Sequence, residues 1–183
     1  PIPRIPAWMD WVTCGVIPDL YNFKYGELLI VVLFYMLQTF LIVYWALRYG
    51  EFSFKSMGIA FGKAAITNLM LCYLPVSKTS LWTYIFGISF ERAVKSHRHL
   101  SYLMLADSIL HLGLLIEINP VWGYPPKLNG VVMAYGLWAL LAFLVMAATA
   151  LLRRWHFEIF RYTHYLFIPG TVLTLLHTPK SLP

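Results

Sequence analysis

Charge is what this sequence has least of. Only 12% of its 183 residues are Asp, Glu, Lys or Arg, while 60% are hydrophobic, and the mean hydropathy is +0.66. Soluble domains average about 25% charged and about 45–50% apolar residues, so too little polar surface exists here to coat a water-soluble globule. Cysteine is equally scarce. Cys14 and Cys72 form no CxxC pattern and no disulfide framework, and both are expected to be structural thiols. No Lys/Arg run is long enough to follow a phosphate backbone, which argues against nucleic acid as a partner despite a net charge of +6. No G-x-G-x-x-G or other nucleotide-binding loop occurs. Pro1–Asp10 lacks the apolar stretch of a signal peptide, and a chain opening on Pro rather than Met is expected to be a fragment or a processed product. Disorder is excluded by an aromatic content of 17%, which demands burial. What remains is an all-α integral membrane protein, its partner the membrane lipid.

A bilayer-spanning helix needs about 20 apolar residues. Five stretches qualify as spans: Leu28–Leu47, Gly58–Val76 with Lys63 inside it, His99–Ile116 with Asp107 and His111, Leu128–Leu152 without charge, and Tyr162–Pro179 with His164 and His177. Thr79–Phe90 is apolar but too short to cross, and reads as an interfacial helix leading into the third span. Residues 1–27 read as an amino-terminal interfacial segment and 180–183 as a tail. With the amino terminus in the cytoplasm, nine basic residues gather on that side against four on the other (Arg48, Lys55, Lys127 and Lys180). The third and fifth spans then run parallel, from cytoplasm to exterior. No internal repeat is visible.

The six histidines carry the chemistry. His99 and His156 read as interfacial anchors, but His111 and His177 lie well inside apolar spans, where an ionisable group marks function by default. His97 and His111 are 14 residues apart, close to four helical turns, so both project from one face about 21 Å apart. His164 and His177 are 13 apart on the parallel fifth span. Pairing by depth sets His97 opposite His164 near the cytoplasm and His111 opposite His177 near the exterior. Two stacked bis-imidazole sites of this kind suit haem, which is large and flat enough to bridge helices. A dinuclear centre is disfavoured because the pairs lie too far apart. One feature resists: on an ideal helix, 13 residues leave His164 and His177 about 140° apart. Pro169 and Gly170 between them are expected to kink or retwist the helix.

Three strings sharpen this reading. Leu74-Pro75-Val76-Ser77-Lys78, then Gly87-Ile88-Ser89-Phe90-Glu91-Arg92 before His97-Arg98, and Phe157 to Phe167 around His164, resemble the ferric reductase and NADPH oxidase superfamily over about residues 58 to 178. The 14 and 13 histidine spacings are similar to its two ligand pairs. The resemblance implies a bundle of six spans, five of them visible here, with two stacked haems b between the third and fifth. It implies haem-iron ligation by His97, His164, His111 and His177. It further implies electrons from cytosolic NADPH through FAD, on a dehydrogenase domain or subunit absent from this chain, to an acceptor on the far side of what is expected to be the plasma membrane. NADPH oxidases resemble one another in a histidine one turn beyond the outer ligand, here Leu115, and in an arginine near the outer end of the second span, here Ile59 with Lys63 one turn on. Both departures, with the Gly-Ile-Ser-x-Glu-Arg string, favour a metalloreductase acting on ferric chelates over reduction of O2 to superoxide. A haem-binding subunit that takes electrons from quinol or from a separate reductase is the second reading. A cofactor-free channel or transporter with a His/Asp proton relay is the rival from another class.

Cations are expected at the haem propionates: Arg92, Lys95, Arg98 and Arg161 on the cytoplasmic side, and Lys63 for the outer haem unless it snorkels. Asp107, one turn before His111, reads as a helix-to-helix hydrogen bond or a site for a cationic acceptor. Glu117 reads as a solvated carboxylate at the outer mouth, and Gly58-x-x-x-Gly62 as a helix-packing motif. Phe167, Trp138 and Phe143 are candidates for the space between the haems, with lipid-facing or core positions the plainer alternative.

Overall fold

The computed structural model describes residues 25–48, 53–74, 90–116 and 128–178, and among them regular structure is entirely helical. Six helices follow one another: α1 Tyr25–Arg48, α2 Phe54–Tyr73, α3 Phe90–Leu115, α4 Leu128–Leu152, α5 Phe157–His164 and α6 Phe167–His177. The expected interfacial helix Thr79–Phe90, apart from Phe90 at the start of α3, lies outside the described residues, as do the tail and the amino-terminal segment apart from the first turn of α1. The expected fourth span coincides with α4, α1 runs slightly beyond the expected first span at both ends, α2 begins four residues before the expected Gly58, and α3 begins nine residues before the expected His99. The fifth span differs in kind, being two helices rather than one.

The chain divides into two compact units, Pro1–Phe40 and Leu41–Pro183. In the first, the described part is the front of α1, where Leu33, Met36 and Phe40 are exposed. The second is built from two helix pairs. α2 packs along α3, α4 packs along α5 and α6, and α3 meets α4 over a shorter stretch. Apolar side chains cover the outside of this unit, with Trp138 at 61% and Tyr162 at 68% exposure. Such a surface suits acyl chains, where no aqueous hydrophobic penalty applies. Among the described residues Val132–Leu152 alone is long and apolar enough to cross a membrane by length and composition. α2 and α3 dilute their apolar character with polar groups turned toward each other, Asn68 and Asp107 among them.

α2 begins at a reciprocal cap. Ser53 Oγ accepts from the Ser56 N–H at 3.2 Å, and Ser56 Oγ accepts from the Ser53 N–H at 3.0 Å, which satisfies two of the donors every helix start leaves over. The α2–α3 pair is pinned near its middle. The Asn68 amide donates to Asp107 Oδ2 at 2.7 Å, with Asn68 fully buried and Asp107 6% exposed. Asp107 is thus a helix-to-helix hydrogen-bonding residue.

The break between α5 and α6 has a local cause. Pro169 has no N–H, and its ring crowds the carbonyl four residues earlier, that of Tyr165. The chain responds upstream, at Tyr165 and Leu166, with ψ values of −13° and −12°. The N–H groups of Tyr165, Leu166 and Ile168 donate to carbonyls three residues back, at 3.2, 3.0 and 3.1 Å. The α pattern resumes where the Gly170 N–H reaches Leu166 at 2.9 Å. A 3₁₀ turn advances about 120° per residue against about 100° in an α-helix. Each overwound residue therefore carries His177 about 20° toward the face of His164, so this turn closes part of the angle that an ideal helix leaves open. Neither α5 with 8 residues nor α6 with 11 spans a bilayer, since at 1.5 Å each they reach about 12 and 16 Å. Joined through this turn they cover the stretch expected as the fifth span.

Replacing Asn68 by Leu removes the buried donor to Asp107. We expect a loss of about 1–2 kcal/mol, the upper end for interhelical hydrogen bonds in membranes, read as a lower denaturation midpoint in a detergent unfolding titration.

Candidate functional site

Four of the six histidines meet in two pairs across the gap between the helix pairs. His111 of α3 faces His177, the last residue of α6, with ring centroids 6.0 Å apart and planes at 78°. His97 of α3 faces His164, the last residue of α5, with centroids 6.3 Å apart and planes at 71°. Two metal–nitrogen bonds of about 2 Å and a ring radius of about 1 Å on each side give about 6 Å between centroids. Each pair is therefore spaced as two imidazoles on opposite sides of one ion.

Three of the four rings are anchored the same way, to a main-chain carbonyl of the neighbouring helix. His111 Nδ1 lies 2.7 Å from Gly58 O, His177 Nδ1 2.7 Å from Val132 O, and His97 Nδ1 2.9 Å from Cys72 O. A carbonyl oxygen carries only lone pairs, so each bond requires the proton on Nδ1 and leaves the Nε2 lone pair for a ligand. That is the outer-shell arrangement that orients metal-bound histidines. The register is simple: Gly58 and Cys72 are 14 residues apart on α2, and His111 and His97 are 14 apart on antiparallel α3. One hairpin register therefore serves both anchors. The Cys72 carbonyl lies in the last turn of α2, where carbonyls lack helical partners, so the His97 bond also completes that helix end.

The two levels differ in surroundings. The outer pair opens on a cavity of about 420 Å³ whose wall includes Lys63, Ser108, Phe143 and both histidines, within the range of ligand sites. Lys63 Nζ lies 5.1 Å from the Trp45 ring centroid, a cation–π contact at the cavity edge. At the inner level Cys72 Sγ lies 3.1 Å from His97 Nδ1 and 3.1 Å from Ser101 Oγ. The His164 ring lies between Phe160 and Phe167, centroids 5.1 and 6.2 Å away. A smaller cavity of about 210 Å³ borders His164, Arg161 and four aromatic residues. Arg98 is half-buried beside His97, and the Arg92 side chain lies outside the described residues. Lys95, His99 and His156 are exposed, and Glu117 lies outside the described residues.

Between the levels, Leu69, Met104, Ala139 and Phe143 form the buried core. Met104 is seven residues from both His97 and His111, so all three share one face of α3. Of the aromatic candidates for this space, Phe143 is buried, Trp138 faces outward and Phe167 packs beside Tyr73 and His164.

Sequence reasoning missed the anchors. A backbone carbonyl has no sequence signature, and the interhelical register was needed to find Gly58, Cys72 and Val132.

These features define a helical membrane protein with two stacked imidazole pairs. Residues 61–175 match the family model described as ferric reductase like transmembrane component. The chain belongs to the ferric reductase superfamily, as its transmembrane component. It is 30% identical over 143 residues to ferric reduction oxidase 7, chloroplastic, of Arabidopsis thaliana, covering 72% of this chain and 19% of that protein. It is 32% identical over 137 residues to ferric reduction oxidase 2 of the same plant, covering 69% and 18%. The matched segment is thus about a fifth of the length of these relatives.

Cys72 is shielded by the ring of His97. In a Cys14→Ser background, a membrane-permeant maleimide is expected to label Cys72 slowly in the folded protein. His97→Ala should speed that labelling at least several-fold, followed by mass spectrometry; equal rates would contradict the inner cluster.

Proposed function

We propose that this chain is the electron-conducting membrane part of a metalloreductase, with His97 and His164 holding an inner haem b and His111 and His177 an outer one. The observation that carries this reading is the pair of 6.3 and 6.0 Å ring spacings, each with at least one Nδ1 committed to a carbonyl. Among the described residues no group of three His, Cys, Asp or Glu side chains is arranged to hold a bare metal ion. Each pair offers two donors only, so a ligand carrying its own equatorial nitrogens, as a porphyrin does, suits the site. The 420 Å³ apolar cavity beside the outer pair supports the same choice.

When bound, haem supplies one-electron transfer, drawing on NADPH through FAD on a dehydrogenase domain or subunit outside this chain and delivering to a ferric chelate on the far face. The residues here hold and orient. The carbonyl anchors keep Nε2 unprotonated at His97, His111 and His177. Leu69, Met104, Ala139 and Phe143 exclude water between the levels. Lys63, which borders the outer cavity, and Arg161, which borders the inner one, would be the cations for the propionates, with Arg98 and Arg92 further candidates from their sequence positions. We assign the same roles to the domain layout set out above: residues 1–27 interfacial, 28–179 transmembrane with five of six spans, 180–183 a tail, the amino terminus cytoplasmic and the plasma membrane the location. Reduction of O2 to superoxide is the alternative acceptor reaction. Against it, the position one turn beyond His111 is Leu115, whose side chain packs on Gly58.

Purified protein is expected to contain about two b-type haems per chain by pyridine haemochrome, with a reduced-minus-oxidised spectrum to match. His111→Ala and His177→Ala should each remove the same one of the two, and His97→Ala and His164→Ala the other. A folded but colourless preparation, expressed with ample haem, overturns the reading in favour of a cofactor-free relay.

A further inference from the structure

The two outer histidines are held by the same device, used twice on different helices. In an α-helix the side chain at position i+4 lies beside the carbonyl of residue i. This protein shows it repeatedly: Thr67 Oγ1 donates to Lys63 O at 3.0 Å, Ser108 Oγ to Met104 O at 2.7 Å, and Thr174 Oγ1 to Gly170 O at 2.8 Å. At the two carbonyls that anchor the outer histidines, the i+4 residue has no side chain. Gly58 O is followed four residues on by Gly62, and Val132 O by Gly136. The imidazole occupies the place the missing side chain would take. A Cβ on Gly62 would lie 2.6 Å from His111 Nδ1, and one on Gly136 2.7 Å from His177 Nδ1. Both distances are shorter than any tolerated contact, and in both the atom struck is the one that makes the anchoring bond.

We propose that Gly62 and Gly136 are positioning residues for the outer site: by baring the carbonyl one turn earlier, each admits one outer imidazole and commits its Nδ1 proton, so that both Nε2 atoms face one ligand. The proposal rests on the haem reading for its ligand but not for its geometry. Neither glycine is there for backbone freedom, since both sit inside regular helices, where glycine costs about 1 kcal/mol relative to alanine. The inner level is built differently. His97 uses the Cys72 carbonyl in the last turn of α2, so no glycine is called for there. The substitutions should therefore separate the two levels.

The experiment compares Gly62→Ala, Gly136→Ala and the double variant with Gly113→Ala, whose added Cβ would meet nothing within 4 Å. Full-length chain is purified and assayed for haem content, potentiometric transitions and the 15N shifts of labelled histidine. We expect each single variant to fall from two haems to one and to lose the same transition that His111→Ala loses. The double variant should lose no more, because both glycines serve one site. Gly113→Ala should keep two haems. Two haems with unchanged potentials in either glycine variant overturn the proposal. Loss of both haems in Gly62→Ala, where His111→Ala keeps one, also overturns it, since the glycine then serves packing and not the ring. In haem-free protein the Nδ1-protonated signals of His111 and His177 should disappear from the corresponding variants, and unchanged signals sink the proposal. Wild-type protein without haem but with those signals intact would overturn the haem reading while leaving the glycine assignment standing.

Discussion

The arrangement depends on one kind of hydrogen bond, from an imidazole Nδ1–H to a main-chain carbonyl of the adjacent antiparallel helix. It appears three times, at 2.7, 2.7 and 2.9 Å. In hydrocarbon a polar ring without a partner costs several kcal/mol, so a histidine at this depth must be paired on both nitrogens to be tolerated. The helix partner satisfies one nitrogen and faces the other across the gap. The same bond ties α2 to α3 and α4 to α6, so packing and ligand geometry are set by one contact.

Other polar groups in the unit follow from that register. Once Gly58 meets His111 and Cys72 meets His97, Asn68 and Asp107 bond in the middle of the same interface at 2.7 Å. The Asn68 Oδ1 atom is buried without a hydrogen-bond partner, which marks this pair as a place where packing was favoured over full satisfaction. Across the pairs, Tyr73 and Thr171 hydroxyls bond α2 to α6, and within the second pair Thr149 and Thr163 bond α4 to α5 at 2.7 Å. The gap is thus bounded by polar pins, with Leu69, Met104 and Phe143 closing its centre.

The break between α5 and α6 reconciles two demands. The paired histidines must share a face at two depths, and 13 residues of ideal α-helix do not put them there. Pro169 removes one donor, the turn at Tyr165–Leu166 overwinds, and Gly170 lets the Phe143 ring approach to within 3.1 Å of where a Cβ would stand. The helix is interrupted where the geometry needs extra rotation.

Much of this was legible in one dimension, and the division has a physical basis. Hydrophobic runs report helices in lipid because every backbone group must bond within its own segment, so Leu128–Leu152 could be read off to its end residues. A costly residue in an apolar run reports function, so the histidines stood out, and their spacing of 14 placed His97 and His111 on one face because an α-helix has a fixed pitch. What tertiary structure alone decided are matters of register. Pro169 and Gly170 flagged a distortion, but its position upstream at Tyr165 follows from where the proline ring meets a carbonyl. Gly62 looked like a packing residue and Gly136 like nothing at all. Their meaning lies in which imidazole arrives over which carbonyl, and main-chain carbonyls are the same at every position of a sequence until folding brings a partner to one of them.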